Sequence, residues 1–152
     1  LGTISSGVLM INNISRIFII AIFIFIMGCN ESTKLKASPE VEFAKATITS
    51  LVRGDDDVVD KIDFETLSQF GENIGVIYLQ LPNDEKNAFR KSFVAQFAAG
   101  FQSTGASVEN FKNWRVKSDD STRTIVIADA PKGSLKIIIS KRNGNMKLSA
   151  LE

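Results

Sequence analysis

Few side chains in this sequence of 152 residues could carry out chemistry. The chain has no histidine and a single cysteine, Cys29. The lack of histidine excludes His-dependent catalytic triads, histidine general bases and His-ligated zinc. A lone cysteine also has no partner for an intrachain disulfide. Cys29 is therefore the first position to examine for chemistry.

Cys29 follows an apolar segment that begins after a positive charge. Arg16 is followed by 11 uncharged apolar residues, Ile17 to Met27, and then by Gly28. An 11-residue helix is about 16 Å long, roughly half the thickness of the hydrocarbon core of a bilayer. This length argues against a permanent membrane span. A basic residue, a short apolar run and a small residue are instead typical of a secretory signal.

The end of this segment, Ile26–Cys29 with the sequence I-M-G-C, resembles the lipobox of bacterial lipoprotein signals. The resemblance implies that the Cys29 thiol receives diacylglycerol, that cleavage follows Gly28, and that the new amino group is acylated, for example with palmitate. Two or more acyl chains give stable membrane attachment. The alternatives are a signal peptide with an incidental cysteine and an uncleaved anchor.

This resemblance divides the chain into three parts. Residues 1–28 hold an upstream stretch and the signal peptide, residues 29–37 the lipidated Cys29 and a polar tether, and residues 38–152 a single domain. Asn30 directly follows the acylated cysteine. In enteric lipoproteins, an acidic residue at the position after the cysteine retains the protein at the inner membrane. By that rule the protein is expected in the bacterial cell envelope, at the outer membrane and facing the periplasm.

The charge of the part after Cys29 limits its partners. Of 18 basic residues only Arg16 precedes Cys29, so 17 basic and 17 acidic residues follow it. A nucleic-acid-binding domain should carry a net basic face. The balance therefore argues against a nucleic-acid partner.

Local signals predict a first helix over residues 39–53. Ser38 is suited to the N-cap, Pro39 to the first helical position, and Gly54 to the end of the helix. Apolar residues recur inside it at helical spacing.

The next segment is expected to hold further helices. Asp55–Asp57 is predicted to be a loop that caps the next helix, because a calcium loop would need oxygen ligands where valines follow. Residues 58–81 are predicted to form one or two short helices, bent at their glycines. Asn83 is the predicted cap of a longer helix.

The longer helix carries a stripe of phenylalanines, each four residues apart. Because four residues turn 400°, the stripe stays within one broad face. It is either the aromatic wall of an apolar ligand pocket or the core face of a helix packed on a sheet, which is the commoner use of such stripes. The stripe consists of Phe89, Phe93, Phe97 and Phe101.

After Gly105 the hydrophobic pattern alternates, which predicts four strands. The first, 108–117, contains Trp114, and a bulge at Lys112–Asn113 would bring Trp114 and Phe111 to one face. The second covers residues 122–130. Asn143–Gly144 predicts the hairpin between the last two strands. Helices followed by a four-stranded antiparallel meander predict an α+β fold.

Two short stretches resemble the nuclear-transport-factor-2-like, cystatin-like superfamily. Arg53–Asp55 is similar to the x-Gly-Asp that ends the first helix of many members, and Arg142–Leu148 is similar to their final hairpin. The resemblance implies a cone-like domain, in which N-terminal helices pack on a curved sheet. Enzymes of this superfamily place His, Asp or Tyr in the cone. Here the candidates would be Asp63, Asp129 and Tyr78.

The expected function is that of a lipid-anchored, non-catalytic envelope protein. Its α+β domain is expected to bind a small apolar ligand or a protein partner, which includes a second copy of the chain; neither a metal nor a cofactor is expected. The alternatives are a purely structural or assembly lipoprotein and a histidine-free isomerase or dehydratase. The residues predicted to bind the ligand are Phe93, Phe97, Phe101 and Trp114.

Overall fold

The computed structural model describes residues 37–152. The predicted signal peptide, Cys29 and tether residues 29–36 lie outside the described residues. Within residues 37–152, three α-helices precede four long strands and pack against a sheet, which confirms the α+β class. Residues Ala37–Glu152 also form a compact unit of their own.

The first helix, α1, spans Pro39–Arg53, as the capping residues predict. The Ser38 hydroxyl accepts a hydrogen bond from the backbone N–H of Val41 at 3.3 Å. Gly54 ends the helix in the left-handed conformation, with φ of 76°. Such a position favours glycine because it lacks a Cβ.

The segment after α1 differs from the prediction of one or two helices. A 3₁₀ helix, Asp56–Lys61, comes first, and Asp55 holds its N-cap position without a side-chain hydrogen bond. A hairpin of two very short strands, β1 (Ser68–Gln69) and β2 (Glu72–Asn73), follows. Only then does the short helix α2, Ile74–Gln80, begin. Two-residue strands are too short to show an alternating pattern.

The long helix, α3, spans Asn83–Ser103. The prediction that Asn83 caps it was wrong, because Pro82 holds the N-cap position and Asn83 is the first helical residue. The Asn83 side-chain oxygen instead accepts a hydrogen bond from Lys86 at 3.2 Å.

Four long strands follow: β3 (Lys112–Asp119), β4 (Arg123–Ala130), β5 (Gly133–Arg142) and β6 (Asn145–Leu151). The first begins later than predicted, because residues 108–110 form a 3₁₀ turn. The predicted bulge is confirmed by a register shift between Lys112 and Arg115. The predicted Asn143–Gly144 hairpin is also confirmed, with both residues at positive φ.

The described residues form a mixed sheet of six strands in the order β2-β1-β6-β5-β4-β3. Consecutive long strands pair antiparallel, but β1 pairs parallel with β6. The prediction of a four-stranded, wholly antiparallel sheet was therefore wrong. The added hairpin is held by contacts distant in sequence, such as the 2.7 Å hydrogen bond from the Phe70 N–H to the Leu151 carbonyl.

The core lies between the sheet and α1, which contacts all four long strands. Helix α3 packs mainly against α1 and the first 3₁₀ helix. The stripe of phenylalanines on α3 is consequently only partly buried. The largest fully buried side chains include Ile48, Leu51, Leu67, Ile137 and Leu148.

Candidate functional site

Helix α3 provides one wall of an apolar groove. Its buried positions, Val94 and Ala98, belong to the side that packs on the rest of the domain. A Cβ placed on Gly54 would lie 3.3 Å from the Ala98 methyl group, so the end of α1 approaches α3 closely. The phenylalanine stripe lies beside this packed side and is half-buried. Its rings are therefore available to line a groove.

The β1–β2 hairpin and α2 provide the opposite wall. Gly75 fixes its position, because a Cβ there would lie 2.4 Å from the Glu65 carbonyl oxygen. The Gly75 N–H also donates to the Leu67 carbonyl at 2.9 Å. Backbone contact at Gly75 thus holds the start of α2 against the preceding loop.

The groove has a volume of about 660 Å³ and opens to solvent. Its apolar lining comes from both walls, and amide and hydroxyl side chains form much of the rest. Among the described residues that line it, Glu72 is the only charged one. The apolar lining consists of Phe70, Ile74, Ile77, Phe89, Phe93, Phe97 and Phe101.

Neighbouring aromatic rings hold the groove-lining rings in place. The rings of Phe64 and Phe93 lie 5.5 Å apart between centroids and almost perpendicular, at 87°. The ring centroids of Phe93 and Phe97 lie 6.4 Å apart, with the rings tilted at 36°. Edge-to-face pairs at such distances are favourable beyond their burial. Contact with Phe64 therefore stabilises the position of the Phe93 ring in the groove wall.

The structure brings together three of the four predicted ligand-binding residues. Phe93, Phe97 and Phe101 line the groove, whereas Trp114 lies outside it, near Lys45 on α1. The Trp114 indole N–H donates to the Phe111 carbonyl at 3.1 Å. The physical reason is the bulge before Trp114, which directs the indole toward α1 and Phe111. We therefore exclude Trp114 from the site.

Of the acids considered for catalysis, Asp129 lies at the sheet surface. Its carboxylate accepts a hydrogen bond from Asn113 at 2.9 Å and pairs with Arg115 at 3.0 Å. The Asn113 hydrogen bond, followed by that of Arg115, lowers the pKa of Asp129. Asp129 does not line the groove.

Asp63 and Tyr78 line a second, more polar cavity of about 470 Å³. Asp63 is buried, and its carboxylate accepts a hydrogen bond from the Ser140 hydroxyl at 3.3 Å. Arg142 lies 3.8 Å from the same carboxylate. The buried acid is thus already engaged by side chains of the domain.

Sequence reasoning missed the second wall of the groove. Phe70 and Ile77 are half-exposed or more, yet both line the groove. The available signal was the run Ile74–Leu81, which has no charged residue. An uncharged, mainly apolar run of this length indicates either core or a binding surface.

Within residues 37–152, no helix is both long and apolar enough to cross a membrane. The same residues contain no cluster of three or more Asp, Glu, Cys or His side chains that could hold a metal ion.

No family model matches the chain, and no curated protein matches it significantly. Among solved structures, it is similar to a de novo designed protein with a curved β-sheet. The identity is 13% and the TM-score 0.40, over 74% of this chain and 93% of the designed one. At this level the similarity shows neither a family nor a function.

Proposed function

We propose that this chain is a lipid-anchored, non-catalytic protein of the bacterial cell envelope, facing the periplasm, whose α+β domain binds a small apolar ligand. The observation that carries the ligand proposal is the groove between α3 and the β1–β2 hairpin. Its volume, about 660 Å³, lies within the usual range for ligand pockets, about 300–1,000 Å³.

The half-buried phenylalanine rings favour a ligand over a purely structural role. Phe93, Phe97 and Phe101 are only partly buried, so part of each ring remains in contact with water. Covering apolar surface is worth about 25 cal/mol per Å². An apolar ligand that lies along the stripe would gain this free energy.

We also propose a place among the nuclear-transport-factor-2-like, cystatin-like domains. Support comes from the order of helices before strands, and from a long helix that forms one side of an open apolar groove. Bulges in the β3–β4 and β5–β6 pairs favour a curved sheet, because bulges bend strands.

Two alternatives have specific observations in their favour. Phe70, Val76 and Leu79 are exposed, which would suit a protein partner or a second copy of the chain. The polar cavity that contains Asp63 and Tyr78 is where an isomerase- or dehydratase-like reaction would have to take place. We favour ligand binding because the larger groove is apolar and Asp63 is engaged by Ser140.

The lipid anchor rests on the sequence around Cys29 and is tested by removing the thiol. Cys29→Ser should abolish both the incorporation of radiolabelled palmitate and the cleavage after Gly28, so the protein should keep the mass of the precursor. Asn30→Ser is the matched control, because it alters the adjacent residue and retains the thiol. Equal labelling of Cys29→Ser and wild type would contradict the anchor.

The ligand is tested by native mass spectrometry of residues 37–152 purified from bacterial cells. Gly100 lines the groove, and no described atom lies within 4 Å of a Cβ placed there, so the side chain of Gly100→Leu has room to begin and should occupy part of the groove. Ala99→Leu adds the same side chain at an exposed position outside the lining and is the control. We expect an apolar adduct on wild type and Ala99→Leu that is absent from Gly100→Leu. A ligand-free dimer would favour the partner alternative.

A further inference from the structure

We propose that the domain rests on the membrane through an apolar patch at the mouth of the groove, and that its ligand is the acyl chain of a membrane lipid. The docking patch consists of Phe70, Val76, Ile77 and Leu79. The proposal rests on the lipid anchor and the ligand groove proposed above. It adds the surface through which the ligand enters and the chemical class of the ligand.

The docking patch is exposed although all four side chains are large and apolar. Phe70 is 62% exposed, and Val76, Ile77 and Leu79 are 50%, 51% and 56% exposed. They lie close together in sequence, at the tip of the β1–β2 hairpin and on α2. Clustered apolar exposure on a soluble domain marks an interaction surface.

The docking patch is continuous with the groove. Phe70 and Ile77 belong to both, whereas Val76 and Leu79 do not line the groove. Whatever covers the docking patch therefore also faces the mouth of the groove. A bilayer at this position would offer acyl chains directly to the phenylalanine stripe.

The dimensions of the groove fit one acyl chain. Its lining on α3 runs from Phe89 to Thr104, a rise of about 22 Å along the helix. One leaflet of the hydrocarbon core is about 15 Å thick, half of the whole core. An extended acyl chain can therefore lie along the groove. Glu72 is the only charge among the described lining residues, so an anionic head group is better placed outside the groove.

The length of the tether allows the docking patch to reach the membrane that holds Cys29. Residues 30–37 separate Cys29 from Ser38 and reach at most about 30 Å when fully extended. Glu40, at the start of α1, pairs with Lys141, which lies opposite Met146 on β6. The Phe70 N–H is bonded to Leu151, at the other end of β6, and β6 extends about 17 Å from Met146 to Leu151. This distance is shorter than the reach of the tether. One membrane can therefore hold the acylated cysteine and contact the hairpin tip.

The charges beside the docking patch are more acidic than basic. Glu72 is in the hairpin, and Asp84 and Glu85 lie in the first turn of α3 directly after α2. One cation is also close, because the Lys86 ammonium lies 5.4 Å from the centre of the Tyr78 ring on α2. Anionic head groups would repel these carboxylates. We therefore expect stronger binding to zwitterionic phosphatidylcholine vesicles than to vesicles that contain phosphatidylglycerol.

The test is flotation of residues 37–152 with phosphatidylcholine vesicles over a series of lipid concentrations. This unit has its own core, built between Val41 and Leu151, so it is expected to fold without residues 1–36. The variant carries Val76→Gln and Leu79→Gln together, since both side chains are exposed and lie outside the groove lining. Ala99→Gln is the control on an exposed face of α3.

We expect the wild-type unit and Ala99→Gln to float with the vesicles, and the double variant to need about tenfold more lipid. All three should still bind an apolar dye in the absence of vesicles. No flotation of the wild type at millimolar lipid, or equal flotation of the double variant, would overturn the docking proposal. Dye binding in the same samples shows separately whether the groove proposal stands. A wild-type dimer that the double variant abolishes, without vesicle binding, would make the patch a self-association surface and also overturn the proposal.

Discussion

Phe70 occupies the first position of a two-residue hairpin loop, with φ of 47°, and Gly71 follows with φ of 90°. Both values are positive, as in a type I′ turn, in which Asn-Gly is the favoured pair. The chain has that pair in the two-residue hairpin loop between β5 and β6, where Asn143 has φ of 52°. A phenylalanine in the left-handed region is disfavoured by about 1 kcal/mol. We infer that the exposed ring is there for binding.

The different residues at these two turn positions predict opposite effects of two single substitutions. Phe70→Asn should leave the free energy of unfolding unchanged or raise it, because relief of the left-handed conformation offsets the lost contacts of the ring. Asn143→Phe should lower it by about 1 kcal/mol. Urea denaturation measures both. A loss of more than about 1 kcal/mol in Phe70→Asn would show that the ring serves stability instead.

Single residues also show how far sequence alone could go. Ser38 and Gly54 were predicted correctly because each acts on backbone groups within its own helix end. The predicted N-cap role of Asn83 was wrong, because Pro82 occupies the N-cap position of α3. The contribution of Phe70 to the groove depends on a hydrogen bond to Leu151, which no local pattern reveals.

At the scale of elements, the groove depends on how α2 and the β1–β2 hairpin attach to the domain. The hairpin joins the sheet through β6, in the register Ser68 with Ala150 and Gln69 with Leu151. Helix α2 is fixed by the close approach of Gly75 to Glu65. The stripe on α3 could be recognised from its spacing. The opposite wall could not, because long-range pairing positions it.

Gly75→Ala should destabilise this attachment. A Cβ 2.4 Å from the Glu65 carbonyl oxygen requires a backbone shift, so we expect the free energy of unfolding to fall by about 1–3 kcal/mol. Gly100→Ala is the matched control. It lies inside α3 without a described atom near the new methyl group and should raise stability by up to about 1 kcal/mol.

Urea denaturation of both variants and hydrogen exchange of residues 68–80 provide the measurements. Faster exchange in this segment of Gly75→Ala would locate the damage at the wall of the groove. If Gly75→Ala were as stable as wild type, the close approach would not be what positions α2.

At the scale of the whole molecule, a group of ion pairs joins α1 to the sheet. The Lys141 ammonium lies 3.1 Å from the Glu40 carboxylate and 2.6 Å from that of Asp119. The pKa of Glu40 is lowered, first by a backbone N–H at the helix start and then by Lys141. Lys141, and after it the Thr124 hydroxyl, lower the pKa of Asp119.

These shifts predict how stability depends on pH. A carboxyl group whose pKa is lower in the folded state stabilises the fold above its unfolded pKa, about 4, and this contribution is lost as pH falls through the folded pKa. Because the chain lacks histidine, no side chain with an ordinary pKa titrates between pH 5 and 8. Stability should therefore be constant from pH 5 to 8 and fall below about pH 4.

Thermal denaturation across this pH range measures the profile of residues 37–152. Lys141→Gln should reduce the loss of stability on acidification, because it removes the cation that lowers both carboxyl pKa values. A stability maximum below pH 4, or a step between pH 5 and 8, would contradict this account.

The measurement that tests the central claim most directly is equilibrium titration of residues 37–152 with an environment-sensitive apolar dye, comparing Gly100→Leu with Ala99→Leu. The account predicts one saturable site on wild type, an affinity reduced by about tenfold or more in Gly100→Leu, and wild-type affinity in Ala99→Leu. Equal affinity in the two variants, or no saturable binding to wild type, would contradict the claim that the phenylalanine groove holds an apolar ligand.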